Sequence, residues 1–166
     1  MKRNALFITQ AAVIAALYTV LTLTIAAFGL ANGAIQFRIS EALTILPVFT
    51  PAAIPGLFIG CVLSNLLSGC VLWDVIFGSL ATLIGAVGTY FIGRKVSKWL
   101  GPVPPIAANM LIIPFILAYA YGAEDSIPFL MLTVGAGEVI SCGIFGLILM
   151  KALEPIHKRV FAENAQ

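Results

Sequence analysis

Six polar side chains stand out in a chain that is otherwise apolar. Gln36, Arg38 and Glu41 fall within the stretch GAIQFRISEALTILP, and Asn65, Asp74 and Glu138 lie inside or at the rim of later apolar runs. A charge at the centre of a spanning helix costs about 2.5–3.5 kcal/mol on insertion scales, so such groups persist where they face a cavity or a partner. One cation and three carboxylates, if all ionise, sum to −2. That set suits a ligand rich in N–H donors or carrying an amine. A carboxylate accepts two parallel N–H bonds, as it does from arginine, and the ring edge of an amidine- or guanidine-like heterocycle presents the same pair. Arg38 then orders the carboxylates or donates to a carbonyl. Plainer roles fit the same residues: Arg38 and Glu41, three apart, could pair on a helix, Asp74 could cap a helix after Trp73, and Glu138 could be a silent, neutral acid.

The elements that must hold these residues follow from composition. Of 166 residues, 61% are hydrophobic and 10% charged, against about 45–50% and ~25% in an ordinary soluble domain. No core of its own could hide that surface, so a lipid bilayer is the expected solvent. At ~20 residues per span the length accommodates an all-α membrane protein of six transmembrane helices, one integral membrane domain over residues 1–166. The segments are 5–28, 40–49, 55–68, 72–92, 103–121 and 127–153. The first begins after a basic start but runs on far past the 7–15 apolar residues of a signal peptide, so it reads as a retained span. The second and third are short. TPAAIPG at 50–56 interrupts an uncharged run there, and its prolines predict two short helices joined at an elbow.

With both termini cytoplasmic, Lys2, Arg3, Arg94, Lys95, Lys98, Lys151, Lys158 and Arg159, eight of the nine basic residues, fall on the inner side, as the positive-inside rule expects. Arg38 alone falls outside, and the opposite loop at Glu124 and Asp125 is acidic. Trp99 then marks the inner boundary, and Tyr119 and Tyr121 the outer one. Arg38, Glu41 and Asp74 come near outer helix ends. Glu138, eleven residues into the last span, comes ~16 Å down at 1.5 Å per residue. The expected product is a polar pocket opening outward, with Glu138 at or near its floor and Asn65 on its wall.

Several function classes are disfavoured. GxxxxGK[ST], HExxH and GxSxG are absent, and the only histidine, His157, sits in the basic tail. An enzyme is not expected, nor ATP hydrolysis by this chain, nor a cofactor within it. Cys61, Cys70 and Cys142 lack CxxC or His-paired spacing, which predicts small apolar fillers and no metal site. The few basic residues form no surface for nucleic acid. Small residues four apart make smooth helix faces that let another helix approach closely: Ala11 with Ala15 and Ala12 with Ala16 in the first span, Gly56 with Gly60 in the third, and Ala81, Gly85 and Thr89 in the fourth.

AAVIAALYTVLTL, IQFRISEALTILP, AAIPGLFIGC and DVIFGSLATLIGA together resemble the queuosine-precursor transporter family, QueT, across most of residues 11–95, with a weaker echo in VGAGEVISC at 134–142. The resemblance implies an S-component-like bundle, the substrate-binding part of an energy-coupling factor (ECF) transporter in a bacterial plasma membrane. It implies partners: one membrane coupling protein and two cytoplasmic ATPases that use the ATP. It implies docking on the coupling protein through Ala11, Ala12, Ala15 and Ala16, and a lid formed by residues 30–37. The solute implied is a 7-deazaguanine, such as the aminomethyl form, or queuine. The best match of groups puts Glu138 on the ring edge and Asp74 or Glu41 on the amine. Asn65 and Gln36 then bond the ring carbonyl or pyrrole nitrogen, and Phe37, Trp73 or Tyr119 stacks on the ring. A gradient-driven secondary carrier for a small heterocycle, with Glu138 as its proton site, is the alternative, and a solute-free membrane scaffold is a third reading.

Overall fold

The computed structural model describes residues 2–28 and 38–161. Gln36, Phe37 and the expected lid therefore lie outside the described residues. In chain order, α1 (Lys2–Ala27) is followed by a 3-10 helix (Ile39–Val48), α2 (Ala53–Leu67), α3 (Leu72–Lys95) and α4 (Val103–Tyr119). The last apolar segment is one continuous rod: α5 (Ile127–Glu138), a π-helical stretch (Val139–Phe145) and α6 (Gly146–Leu153). A short α7 (His157–Val160) follows it. All six apolar segments read from the sequence are helical, and no strand occurs among the described residues. Asn4–Ala27, Leu72–Lys95, Lys98–Tyr119 and Ile127–Leu153 are long and apolar enough to cross a membrane; Ile39–Val48 and Ala53–Leu67 are shorter.

The 3-10 helix departs from what the sequence leads one to expect. It is buried from Ser40 to Val48, so it threads the inside of the bundle and meets no lipid. Runs of 3-10 helix beyond 3–4 residues are uncommon because the hydrogen bonds are poorly aligned. Here side chains supplement the backbone. Thr44 Oγ1 donates to Glu41 O at 2.6 Å, and Arg94 Nε donates to Val48 O at 3.2 Å. Pro47, which has no N–H, sits at its end, and Thr50 to Ala52 turn the chain back into α2. Ile45 and Leu46 of this helix pack with Ile14 and Tyr18 of α1, Leu57 of α2 and Met150 of α6 in the main apolar core.

Helix contacts depend on small residues, as expected, but the alanines of α1 divide. A Cβ on Gly56 would lie 2.8 Å from Ala11 O, and one on Gly60 would lie 2.8 Å from Tyr18 Cβ and 2.9 Å from Ala15 O. The α1 and α2 backbones therefore touch, and Ala11 and Ala15 are buried between them, while Ala12 and Ala16 are exposed. The expected four-alanine docking strip is thus corrected: one residue along a helix is a rotation of about 100°, and α2 has taken one of the two files. Ala81, Gly85 and Thr89 are likewise spent inside the chain. A Cβ on Gly85 would meet Pro105 Cα of α4 at 2.7 Å, and Thr89 donates to Gly101 O at 2.7 Å.

Both chain ends lie at one end of the bundle. Gln10 Nε2 donates to Phe161 O at 2.6 Å, and Gln10 Oε1 accepts from the Thr50 hydroxyl at 2.8 Å. The same end holds the Lys98–Glu154 ion pair and Lys151 over the Trp99 ring at 5.3 Å. Gly60→Leu should drive a side chain into the α1 backbone and lower stability by roughly 1–3 kcal/mol, seen as an earlier thermal unfolding transition in detergent. Ala16→Leu, on the exposed file, should leave that transition within about 0.5 kcal/mol of the parent; equal losses from both would show that α1 packs differently.

Candidate functional site

At the end of the bundle opposite the termini, a tight reversal brings α2 and α3 together. Gly69 has φ of 71°, a left-handed conformation suited to glycine, and Cys70 N donates to Asn65 O at 3.0 Å. The reversal sets the last turn of α2 beside the first turn of α3, so that Asn65 Nδ2 donates to Asp74 O at 3.2 Å. The α3 N-cap is Val71 and makes no side-chain cap bond, so Asp74 is not the cap. Its carboxylate turns inward instead. Tyr121 OH donates to Oδ2 at 3.1 Å, and Arg38 Nη2 lies 3.8 Å from the same oxygen. Asp74 Oδ1 is buried and has no partner among the described residues.

These groups line a cavity of about 520 Å3, together with Cys70, Thr22 and an apolar wall of Ile113 and Ile116 from α4. That volume is within the ~300–1,000 Å3 common for small-molecule sites. Polar groups are few and converge from separate elements: Arg38 from before the 3-10 helix, Asn65 from α2, Asp74 from α3 and Tyr121 from beyond α4.

A second polar cluster lies deeper. Glu41 is 1% exposed; its Oε1 accepts the Tyr18 hydroxyl, and its Oε2 has no partner among the described residues. Glu138 is 7% exposed, and its Oε2 accepts the Cys142 thiol at 3.0 Å. Asn109 of α4, itself buried, lies against both carboxylates. Arg38 and Ile113 line the large cavity and also a void of about 10 Å3 that Asn109, Val134 and Glu138 complete. The two tiers therefore share a floor.

The structure thus sorts the six residues read from the sequence. Arg38, Asn65 and Asp74 line the cavity. Glu41 and Glu138 lie beneath it and are not among its lining residues, which corrects the expected single pocket. Three residues of 3-10 helix make one full turn and rise about 6 Å, so Glu41 shares Arg38's face one turn deeper. Gln36 is outside the described residues. The stacking candidates are also corrected: Trp73 and Tyr119 are 59% and 82% exposed, stacked outward on Phe77 and Phe115. Among the described residues the aromatic ring at the cavity is Tyr121, which the sequence had suggested only as a boundary residue. Tyr18 and Asn109 were missed, and Cys142 was expected only as a small filler. Asn109 carried a usable signal, an amide in the middle of an apolar segment, and Cys142 another, its place four residues after Glu138 on one helix face; a tyrosine among apolar residues carried none.

The QueT transporter family matches the chain over residues 8–155. A relative named queuosine precursor transporter QueT, from Lactococcus lactis subsp. cremoris (strain MG1363), is 42% identical over 85 residues, 51% of this chain and 50% of that protein. The matched part thus spans about half the length of that relative. No solved structure matches. Apolar helices long enough to cross a membrane, a small-molecule cavity between them and a family match over most of the chain agree: this multi-pass helical chain belongs to the QueT transporter family, a family of transporters and not of enzymes.

Proposed function

We propose that the protein is the substrate-binding S component of an ECF-type importer, capturing a queuosine precursor of the 7-deazaguanine class from outside a bacterial cell. The observation that carries this reading is a cavity of about 520 Å3 in which Arg38, Asn65, Asp74 and Tyr121 converge, with Asp74 Oδ2 facing Tyr121 and Arg38. A carboxylate accepts strong bonds from N–H donors, and the adjacent N–H groups of a guanine-like edge would supply them to Asp74. Arg38 is placed to donate to the ring carbonyl, Asn65 to bond a ring nitrogen, and Tyr121 to cover a planar ring.

The membrane arrangement in this reading has six spans, with both termini in the cytoplasm and the cavity facing out. It is supported by the Gln10–Phe161 contact and by Arg94, Lys98 and Lys151 at that end, while Arg38 stands at the other. The energy comes from a separate module of one membrane coupling protein and two cytoplasmic ATPases, since the sequence carries no phosphate-binding loop. Docking on the coupling protein falls to the exposed file of α1, Ala12 and Ala16, because Ala11 and Ala15 are covered by α2.

Equilibrium titration of the purified chain with 7-deazaguanines, guanine, riboflavin and thiamine tests the reading, and saturable binding by none of them would overturn it. Asp74→Asn should weaken 7-deazaguanine binding at least tenfold, because a hydrogen bond to a charged group contributes about 1.5–3 kcal/mol and 1.4 kcal/mol is tenfold. Ala16→Trp should leave that affinity unchanged yet reduce co-purification with the coupling protein, whereas Ala15→Trp should disrupt the fold itself. Uptake that persists without the ATPases and collapses with an uncoupler would instead favour the gradient-driven carrier.

A further inference from the structure

The deeper cluster has a chemistry of its own. One oxygen of Glu41, one oxygen of Glu138 and Cys142 Sγ all lie within 4.8 Å of one another, and all three residues are buried. Arg38, which borders this cluster, lies 3.8 Å from Asp74 in the tier above. Were both glutamates ionised, the pair would carry −2 in an apolar interior, where charge without a counter-ion is expensive. Independently, Glu41 Oε2 is buried, and no donor among the described residues meets hydrogen-bond geometry with it, although the Asn109 amide lies nearby.

We propose that Glu41, Glu138 and Cys142 form a buried site for a single divalent transition-metal ion, distinct from the cavity above it. Donors no more than 4.8 Å apart surround a central point at under about 3 Å, and a small inward movement reaches the ~2.0–2.2 Å Zn–O and ~2.3 Å Zn–S distances of zinc sites. The sulfur selects the metal: Mg2+ and Ca2+ take oxygen ligands, whereas a thiolate with two carboxylates suits Zn2+, Co2+ or Fe2+. Binding forms one metal–sulfur and two metal–oxygen bonds, and the Cys142 proton leaves to solvent. Three anionic donors and a divalent cation leave −1, facing the Arg38 guanidinium across the small void. A void of about 10 Å3 beside Glu138, lined also by Asn109 and Arg38, is roughly the space one water occupies.

Local structure explains why no spacing motif announced the site. Glu41 comes from the 3-10 helix, and Cys142 from the π-helical stretch of the last rod, four residues after Glu138 and bonded to it. Such single-turn π stretches recur at functional sites. The ion would clamp the 3-10 helix to the last rod one turn below Arg38, at the floor of the ligand cavity.

The test uses the full chain, stripped with a chelator and titrated with Co2+ alone, then with Zn2+ in competition. One equivalent of Co2+ should bind with a thiolate-to-cobalt charge-transfer absorption that Zn2+ abolishes. The absorption should vanish in Cys142→Ser and persist in Cys70→Ser, and Glu138→Gln should weaken Co2+ binding at least tenfold. If Cys142→Ser does not fold, the thermal transition serves: Zn2+ should raise it for the parent and not for Glu41→Gln. Absence of saturable Co2+ binding, or an absorption that survives loss of Cys142, would overturn the proposal. Neither result bears on heterocycle binding, which is measured without metal.

Discussion

Burying Glu41 inside a 3-10 helix sets conditions that much of the bundle meets. The carboxylate is 1% exposed, on a helix whose own hydrogen bonds are weak. Its carbonyl oxygen is bonded by Thr44, one carboxylate oxygen by Tyr18, and its flank is filled by Asn109 and Cys142. Tyr18 can reach it only because Gly60 lets α1 and α2 close to backbone contact: the Cβ absent from Gly60 would sit 2.8 Å from Tyr18 Cβ. The small-residue seam and the polar interior are therefore one device, in which tight packing at the seam carries a donor to a buried acceptor.

The charges separate into two tiers for the same reason. Arg38 stands where the 3-10 helix begins and Glu41 one turn along it, so a cation and an anion of one short motif are held at different depths. Asp74, at the first turn of α3, takes the cation. The upper tier is roomy, lined from four elements and suited to an organic ligand. The lower one is nearly filled and suited to a small ion. Ile113 and Arg38 form the partition, so anything that moves Arg38 is felt on both sides.

The outer surface of α1 and the groove between α3 and α4 are apolar and exposed. Trp73 and Tyr119 stack on aromatic neighbours one helical turn away and face outward, which suits rings with one apolar and one polar edge near a bilayer boundary. Ala12 and Ala16 stay exposed, since one side of α1 is already covered by α2.

Much of the architecture was legible in the sequence because it rests on local or one-dimensional signals. Apolar length set the six helical segments, Pro51 and Pro55 the elbow, Gly56, Gly60 and Gly85 the close helix contacts, and the cost of charge in hydrocarbon picked out Arg38, Asp74, Glu41 and Glu138. Tertiary structure alone decided which of these meet. It buried the second segment as a 3-10 helix, gave Ala11 and Ala15 to α2 while leaving Ala12 and Ala16 free, turned Trp73 and Tyr119 outward, and brought Cys142 to within 4.8 Å of both glutamates. The physical reason is that apolar periodicity fixes how much of a segment avoids water. In a chain with lipid outside and protein inside, both surroundings are apolar, so which face turns which way is settled only by the shapes of the helices that pack against it.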